Sequence, residues 1–272
     1  MKKHGANILL ILIFILGLCL LLYPTVSDWY NSQHQSKAIA TYTENVSNLK
    51  DNEKKDFIKE AKKFNEILTN RAGYQFLSDS ELKEYENVLD VTGTGIMSYI
   101  EIPSINVSLP IYHTVNESVL QIAAGHIEWS SLPVGGESTH CVVSGHRGLP
   151  SSKLFTNLDK IVEGDIFMLN TVGETLTYQV DRILIVEPED ISSLSIEKGK
   201  DLCTLVTCTP YGVNSHRLLI TGHRIANIEE KPIVIVNPEA TQIDPIIVAP
   251  VVAAPLLLAL LVYVLIKYRK KK

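Results

Sequence analysis

The sequence predicts a mainly β domain, a compact and mostly antiparallel barrel or sandwich, with an N-terminal helical arm and a transmembrane helix on either side. Three observations predict it. Long apolar runs lie near both ends, a charge-rich stretch after the first run shows helical periodicity, and short β-like runs punctuated by Gly and Pro follow residue 95. With 272 residues, 46% hydrophobic and 20% charged, the chain supplies one ordinary globular domain plus accessory segments and is neither disordered nor fibrous.

The first apolar run, Ile8 to Tyr23, carries no charge, and Ile246 to Ile266 is a second run of spanning length. Lys2 and Lys3 precede the first; Lys267, Arg269, Lys270, Lys271 and Lys272 follow the second. The positive-inside rule then puts both termini in the cytoplasm and everything between them outside. The alternative for the first run is a cleaved signal peptide, but Thr25-Val26-Ser27 is a poor small-x-small site, so an uncleaved anchor is expected. The second run contains Pro250 and Pro255 and competes with a buried core helix, which the terminal basic cluster argues against. The expected organisation is a cytoplasmic start (1–7), an anchor (8–23), an extracytoplasmic helical arm (24–94), a β domain (95–230), a linker (231–245), a second span (246–266) and a basic tail (267–272).

Charge separates along the same boundaries. The seven basic residues just named lie outside 24–245, leaving 18 of the 25 basic residues against all 30 acidic ones there, a net of −12. That balance disfavours a nucleic-acid partner. Cys19 lies in the first apolar run, leaving Cys141, Cys203 and Cys208 outside. Three scattered cysteines make no disulfide framework, and an odd one suggests a reactive thiol.

Within the arm, Phe57, Ala61, Phe64 and Leu68 recur at helical spacing, as do Leu82, Tyr85 and Leu89, so two or more helices packed on the main domain are expected. The β-like runs are Tyr99–Ile102, Ile105–Leu109, Cys141–Ser144, Leu176–Val186, Leu202–Cys208, Arg217–Thr221 and Ile233–Val236. Ser151–Leu158 is expected to add one helical turn or two. No internal repeat or low-complexity tract occurs.

Cys208 ends a predicted strand and is followed by Thr209-Pro210-Tyr211-Gly212, a turn composition that presents a strand-end side chain at the domain rim. Arg217 opens the next run nine residues later, so a hairpin returns its guanidinium beside Cys208. A cation there favours a thiolate or stabilises an oxyanion, although a salt-bridging surface arginine fits the spacing equally well. A thiol also needs an acid–base partner. Six histidines lie between residues 95 and 230: His113, His126, His140, His146, His216 and His223. His146 sits where a strand gives way to the turn Arg147-Gly148-Leu149-Pro150, but spacing alone selects none of them.

Thr204-Leu205-Val206-Thr207-Cys208, continuing Thr209-Pro210-Tyr211-Gly212-Val213-Asn214-Ser215-His216-Arg217-Leu218-Leu219, resembles the catalytic segment of sortases, in which a TLxTC strand precedes an arginine-bearing strand. His140, Ser144-Gly145-His146-Arg147-Gly148-Leu149-Pro150 and Ser131-Leu132-Pro133-Val134-Gly135-Gly136 are similar to signatures of the class C, pilin-polymerising branch. The helical arm, the second anchor and the Tyr211-Gly212 pair are similar to that branch too. The resemblance covers about residues 24–225 and both anchors. It implies an eight-stranded sortase-type β-barrel and a catalytic triad of His146, Cys208 and Arg217. It also implies recognition of a Leu-Pro-x-Thr-Gly-like signal on pilin subunits, an acceptor lysine from another pilin, and neither metal nor organic cofactor. In that mechanism Cys208 attacks the Thr–Gly carbonyl, Arg217 steadies the oxyanion and His146 protonates the leaving amine.

Two alternatives accompany this reading. One is a housekeeping sortase that attaches proteins to a cell-wall peptide amine with the same triad. The other is a non-catalytic zinc-binding membrane protein using Cys203, Cys208 and nearby histidines, disfavoured because the cysteines lack Cys-x-x-Cys spacing. Three positions depart from the family pattern: Cys141 and Cys203, where cysteine is not expected, and Ser215, where threonine is commoner. Cys141 and Cys203 precede His146 and Cys208 by the same five residues. If their strands are adjacent, the odd offset makes them neighbours on the face opposite the catalytic pair. Class C sortases also carry an Asp-Pro-aromatic lid before the barrel. The stretch 72–82 contains Tyr74, Phe76 and Asp79 but no proline, and Ser78 with Glu81 forms a capping-box pattern that starts a helix instead.

Overall fold

The computed structural model describes residues 2–70, 76–227, 253–259 and 261–263. The chain divides into two compact units, one of residues 1–30 with 230–272 and one of residues 31–229.

In the first unit lies the start of α1, Lys2–Asn48, a helix long and apolar enough to cross a bilayer, with mean hydropathy 2.1 in its most apolar window. In the second apolar run, residues 253–259 and 261–263 are helical. The rest of that run, the linker and the expected strand Ile233–Val236 lie outside the described residues.

The second unit holds the remainder of α1, then α2 (Asp51–Thr69), α3 (Asp79–Tyr85) and the barrel. α2 buries Ile58, Ala61, Phe64, Asn65 and Leu68, the apolar stripe read from the sequence shifted by one residue at its start. α3 begins at the capping box, where the Ser78 N–H donates to Glu81 at 2.8 Å. It ends at Tyr85, and Leu89 is not helical as expected: it sits fully buried in the left-handed region at φ 66. Arm and barrel share one apolar core containing Phe64, Leu68, Tyr85 and Leu89 with Ile100, Phe167, Tyr178 and Leu205. The last turns of α1 dock through Tyr42, whose hydroxyl donates to the Met97 carbonyl at 3.0 Å and accepts from the Val172 N–H at 2.8 Å. Burial pushes that phenol up to about 12.

The barrel comprises β1 (Ile96–Ile102), β2 (Val107–His113), a short helix α4 (Glu117–Leu120), β3 (Ala124–His126), β4 (Thr139–Ser144), β5 (Ile166–Thr171), β6 (Glu174–Val186), β7 (Asp201–Thr209) and β8 (His216–Ile225). The strands close in the order β1-β2-β3-β4-β7-β8-β6-β5. Closure removes every sheet edge. Most pairs are antiparallel, as expected, but β2–β3 and β4–β7 are parallel. β3 and β5 are additional to the expected runs. Where a helix was expected over 151–158, Ser152 bridges to Leu149 and residues 154–157 form turns that lead into a 3₁₀ turn at Leu158–Lys160.

Alternation sorts β4 and β7 into two faces. Cys141, Val143, Cys203 and Leu205 point into the main core. Val142 and Val206 face outward, where with Leu194 and Leu219 they form a second apolar cluster bordered by Ile127, Trp129 and Ile191. Cys208 shares the outward parity of Val206.

Candidate active site

Two ladders bring the candidate residues to one end of the barrel. In the antiparallel β7–β8 pair Cys208 lies directly opposite Arg217, and facing residues in such a pair hold their Cβ atoms about 4.5–5.5 Å apart. The loop between them closes with the Pro210 carbonyl accepting from the Val213 and Asn214 N–H groups. Gly212 (φ 75) and Asn214 (φ 59) take the left-handed conformations that loop requires. Arg217 Nη1 donates to the carbonyls of Asn214 and His216 at 3.3 and 3.1 Å, which steadies the guanidinium over this turn.

The parallel β4–β7 pair supplies the third residue. Its last register pair is Ser144 with Val206. The ladder runs one step further, with the Gly145 N–H donating to the Val206 carbonyl at 3.1 Å and Thr207 Oγ1 donating to the Gly145 carbonyl at 2.7 Å. His146 follows at once, two residues beyond Ser144, as Cys208 stands two beyond Val206. Its carbonyl accepts from the Phe155 N–H at 3.1 Å, which folds the following loop back on itself.

Geometry now separates the six histidines. His113 sits between the Gly95 and Val88 carbonyls, and His126 contacts Tyr85, Ser130 and the Ser131 carbonyl; both are buried. His140 is buried as well, with Nδ1 2.8 Å from the Ser195 carbonyl and Nε2 2.7 Å from Thr204 Oγ1. It ties the β6–β7 connection to β4 and β7, and burial holds its imidazole below the ordinary value. His223 pairs with Asp181. His216 sits opposite Thr209 and pairs with Glu187, so it has the parity opposite to Cys208. Of the six, His146 alone stands two residues past the end of β4 beside β7, as Cys208 stands two past Val206, and its side chain is partly open to solvent.

Two neighbours were given no role from sequence. Glu117, at the start of α4, places Oε2 3.4 Å from His146 Nε2. Hydrogen bonding from Gln121, then from His146, holds that exposed carboxyl below the usual range. Arg147 reaches Thr209 and Asp159. Glu117 and Arg147 lie 91 and 61 residues from Cys208, beyond any local pattern. Cys141 and Cys203 are register partners, as expected from their offset, and both are buried free thiols. Burial pushes the Cys203 thiol well up. Tyr74 lies outside the described residues, Phe76 is 84% exposed, and Asp79 opens α3. Among the described residues no group of His, Cys, Asp and Glu side chains could hold a metal ion.

The Sortase domain family profile matches residues 100–225. Sortase C1 from Streptococcus agalactiae is 49% identical in sequence and superposes with a TM-score of 0.69, over 71% of this chain and 100% of that one. The chain belongs to the sortase family. Sortase C from Streptococcus pneumoniae, whose structure was described in terms of catalysis and pilin substrate specificity, is 43% identical with a TM-score of 0.64, over 70% of this chain and 97% of that one. These structural neighbours are class C sortases. Among curated sortases, Sortase D from Bacillus subtilis is 32% identical over 130 residues, which is 46% of this chain and 62% of that protein. The chain thus spans about three fifths of that relative's length. Sortases are cysteine transpeptidases, and the eight-stranded closed barrel with its helical N-terminal region is the sortase fold.

Proposed function

We propose that this sortase is a membrane-anchored pilin polymerase that cleaves a Leu-Pro-x-Thr-Gly-like sorting signal between Thr and Gly. Cys208, His146 and Arg217 are its catalytic residues. The observation that carries this is the convergence of two ladders: β8 sets Arg217 opposite Cys208, and β4 brings His146 level with it. The Cys208 sulfur attacks the threonine carbonyl while Arg217 offers N–H groups to the developing oxyanion. As the C–N bond breaks, His146 gives its proton to the departing glycine amine and a thioester remains. A lysine amine then attacks the thioester, loses a proton to His146 and expels the sulfur. The product is an isopeptide bond.

Likeness to class C sortases supports pilin as donor and acceptor. α1 supports anchoring in the membrane, and the basic residues at both ends support cytoplasmic termini with the barrel outside. Incubation of the full chain with a pilin carrying the signal tests the reading. A ladder of covalent multimers that resists boiling in detergent is expected. Transfer only to a cell-wall-type peptide amine would assign the housekeeping role instead.

A further inference from the structure

The last contacts between β4 and β7 lie at Gly145 and Thr207, one residue short of His146 and Cys208, so the ladder aligns the two residues but does not fix their spacing. The side chains that cross this gap belong to the residues immediately following each of them. Arg147 Nη1 donates to Thr209 Oγ1 at 3.1 Å and Nη2 to Asp159 Oδ2 at 2.5 Å. Its Cζ lies 6.0 Å from the centroid of the Tyr211 ring. Gly148, at φ +78, leaves room for that ring, whose Cε2 is 3.0 Å from where a Cβ would stand. Arg147, only 8% exposed, is thus the link between the loop after His146 and the turn after Cys208.

We infer that Arg147 is a positioning residue that sets the spacing of His146 and Cys208 through Thr209 and Asp159. The inference rests on the catalytic reading above. Two features argue for aim rather than for charge or packing alone. The Arg147 Nε is buried without a hydrogen-bond partner, so the fold leaves one donor unsatisfied while both terminal nitrogens are satisfied. The two acceptors come from separate elements, the end of β7 and the 3₁₀ turn at Leu158–Lys160, which a planar fork can bridge and a single ammonium cannot. Thr209 is itself buried, and its partner on β8 is His216, next to Arg217, so a shift of Thr209 is passed to both Cys208 and Arg217.

The test uses the full chain in detergent with a Leu-Pro-x-Thr-Gly peptide and an amine acceptor, reading kcat, KM and thermal midpoint. Arg147→Lys keeps the charge but loses the fork, and Thr209→Val removes one hydroxyl at nearly constant volume. Each should lower kcat about fivefold or more, with KM within threefold and the protein still folded at the assay temperature. Thr209→Ser, which restores the hydroxyl, should stay within threefold of wild type. The double variant should be no slower than the slower single one, because both act on one link. If Arg147→Lys does not fold, Thr209→Val and Thr209→Ser still decide. The inference is overturned if Arg147→Lys or Thr209→Val keeps kcat within twofold, if losses track only the folded fraction, or if the two effects multiply. Turnover by Cys208→Ala would instead overturn the catalytic reading beneath it.

Discussion

Gly145→Ala isolates the packing that delivers His146. Gly145 is not in the left-handed region, so alanine meets no backbone penalty. An added Cβ, however, would stand 2.6, 2.9 and 3.1 Å from Cδ2, Cγ and Cε2 of Phe155, whose side chain is fully buried. Carbon atoms settle at about 3.5–4.0 Å, so ring or strand must give way. Overpacking of this kind costs about 1–3 kcal/mol, offset by about 0.4–1 kcal/mol from the reduced freedom of the unfolded chain. At the centre of both ranges the net is a loss of about 1.3 kcal/mol, and at most about 2.6 kcal/mol. At about 2–4 °C per kcal/mol for a domain of this size, the thermal midpoint should fall by about 3–5 °C, and by no more than about 10 °C. The Phe155 N–H also holds the His146 carbonyl, so the same displacement should lower kcat by about tenfold, more than instability alone explains. Differential scanning calorimetry and peptide turnover measure the two effects. Phe155→Leu in the Gly145→Ala background should recover part of the midpoint. An unchanged midpoint, or strictly additive losses in the double variant, would refute the argument.

His146→Ala should lower turnover nearly as far as loss of the nucleophile does, and Arg217→Lys should also be poor, because an ammonium does not reproduce directional donors; steady-state rates near wild type for the lysine variant would exclude an oxyanion role. Because burial depresses the His140 pKa, the unfolded chain takes up a proton first as pH falls. Stability should be full above about pH 6.5 and decline below it, and urea midpoints between pH 5 and 8 should show a shallower decline in His140→Gln. Alkylation in denaturant without reductant should modify Cys141, Cys203 and Cys208, and a missing pair by intact mass would reveal a disulfide. In the folded protein Cys208 should react first. Phe76→Ala and Asp79→Ala should each leave its rate within tenfold, since Phe76 is solvent-exposed and Asp79 belongs to α3.

Local signals were the legible ones. An offset of nine from Cys208 to Arg217, with Thr-Pro-Tyr-Gly after the cysteine, sufficed for a hairpin, and the β7–β8 register matches it. The Ser78–Glu81 cap was readable because both partners lie within one turn. The shared five-residue offset placed Cys141 beside Cys203 on condition that their strands met, which a propensity argument cannot establish for residues 62 apart. β3 has three residues, too few for a period. β5 alternates in burial, but Ile166 and Met168 on its outward side mask that alternation in the sequence. Residues 151–158 have a helix-compatible composition, yet their polar groups serve tertiary bonds. The Ser151 carbonyl accepts from Asn31 of α1, and Ser152 Oγ accepts from Gln35. Spacing alone did not single out His146, because its selection depends on the parallel β4–β7 register and on where the other five histidines are held.

The acyl-enzyme tests the central claim most directly. The full chain, mixed with a Leu-Pro-x-Thr-Gly peptide in the absence of an amine and quenched in acid, should gain the mass of the peptide up to threonine. Proteolytic mapping should place that mass on Cys208, neutral hydroxylamine should release it, and it should be absent from Cys208→Ala. An adduct on another residue, or glycine release by Cys208→Ala, would contradict the account.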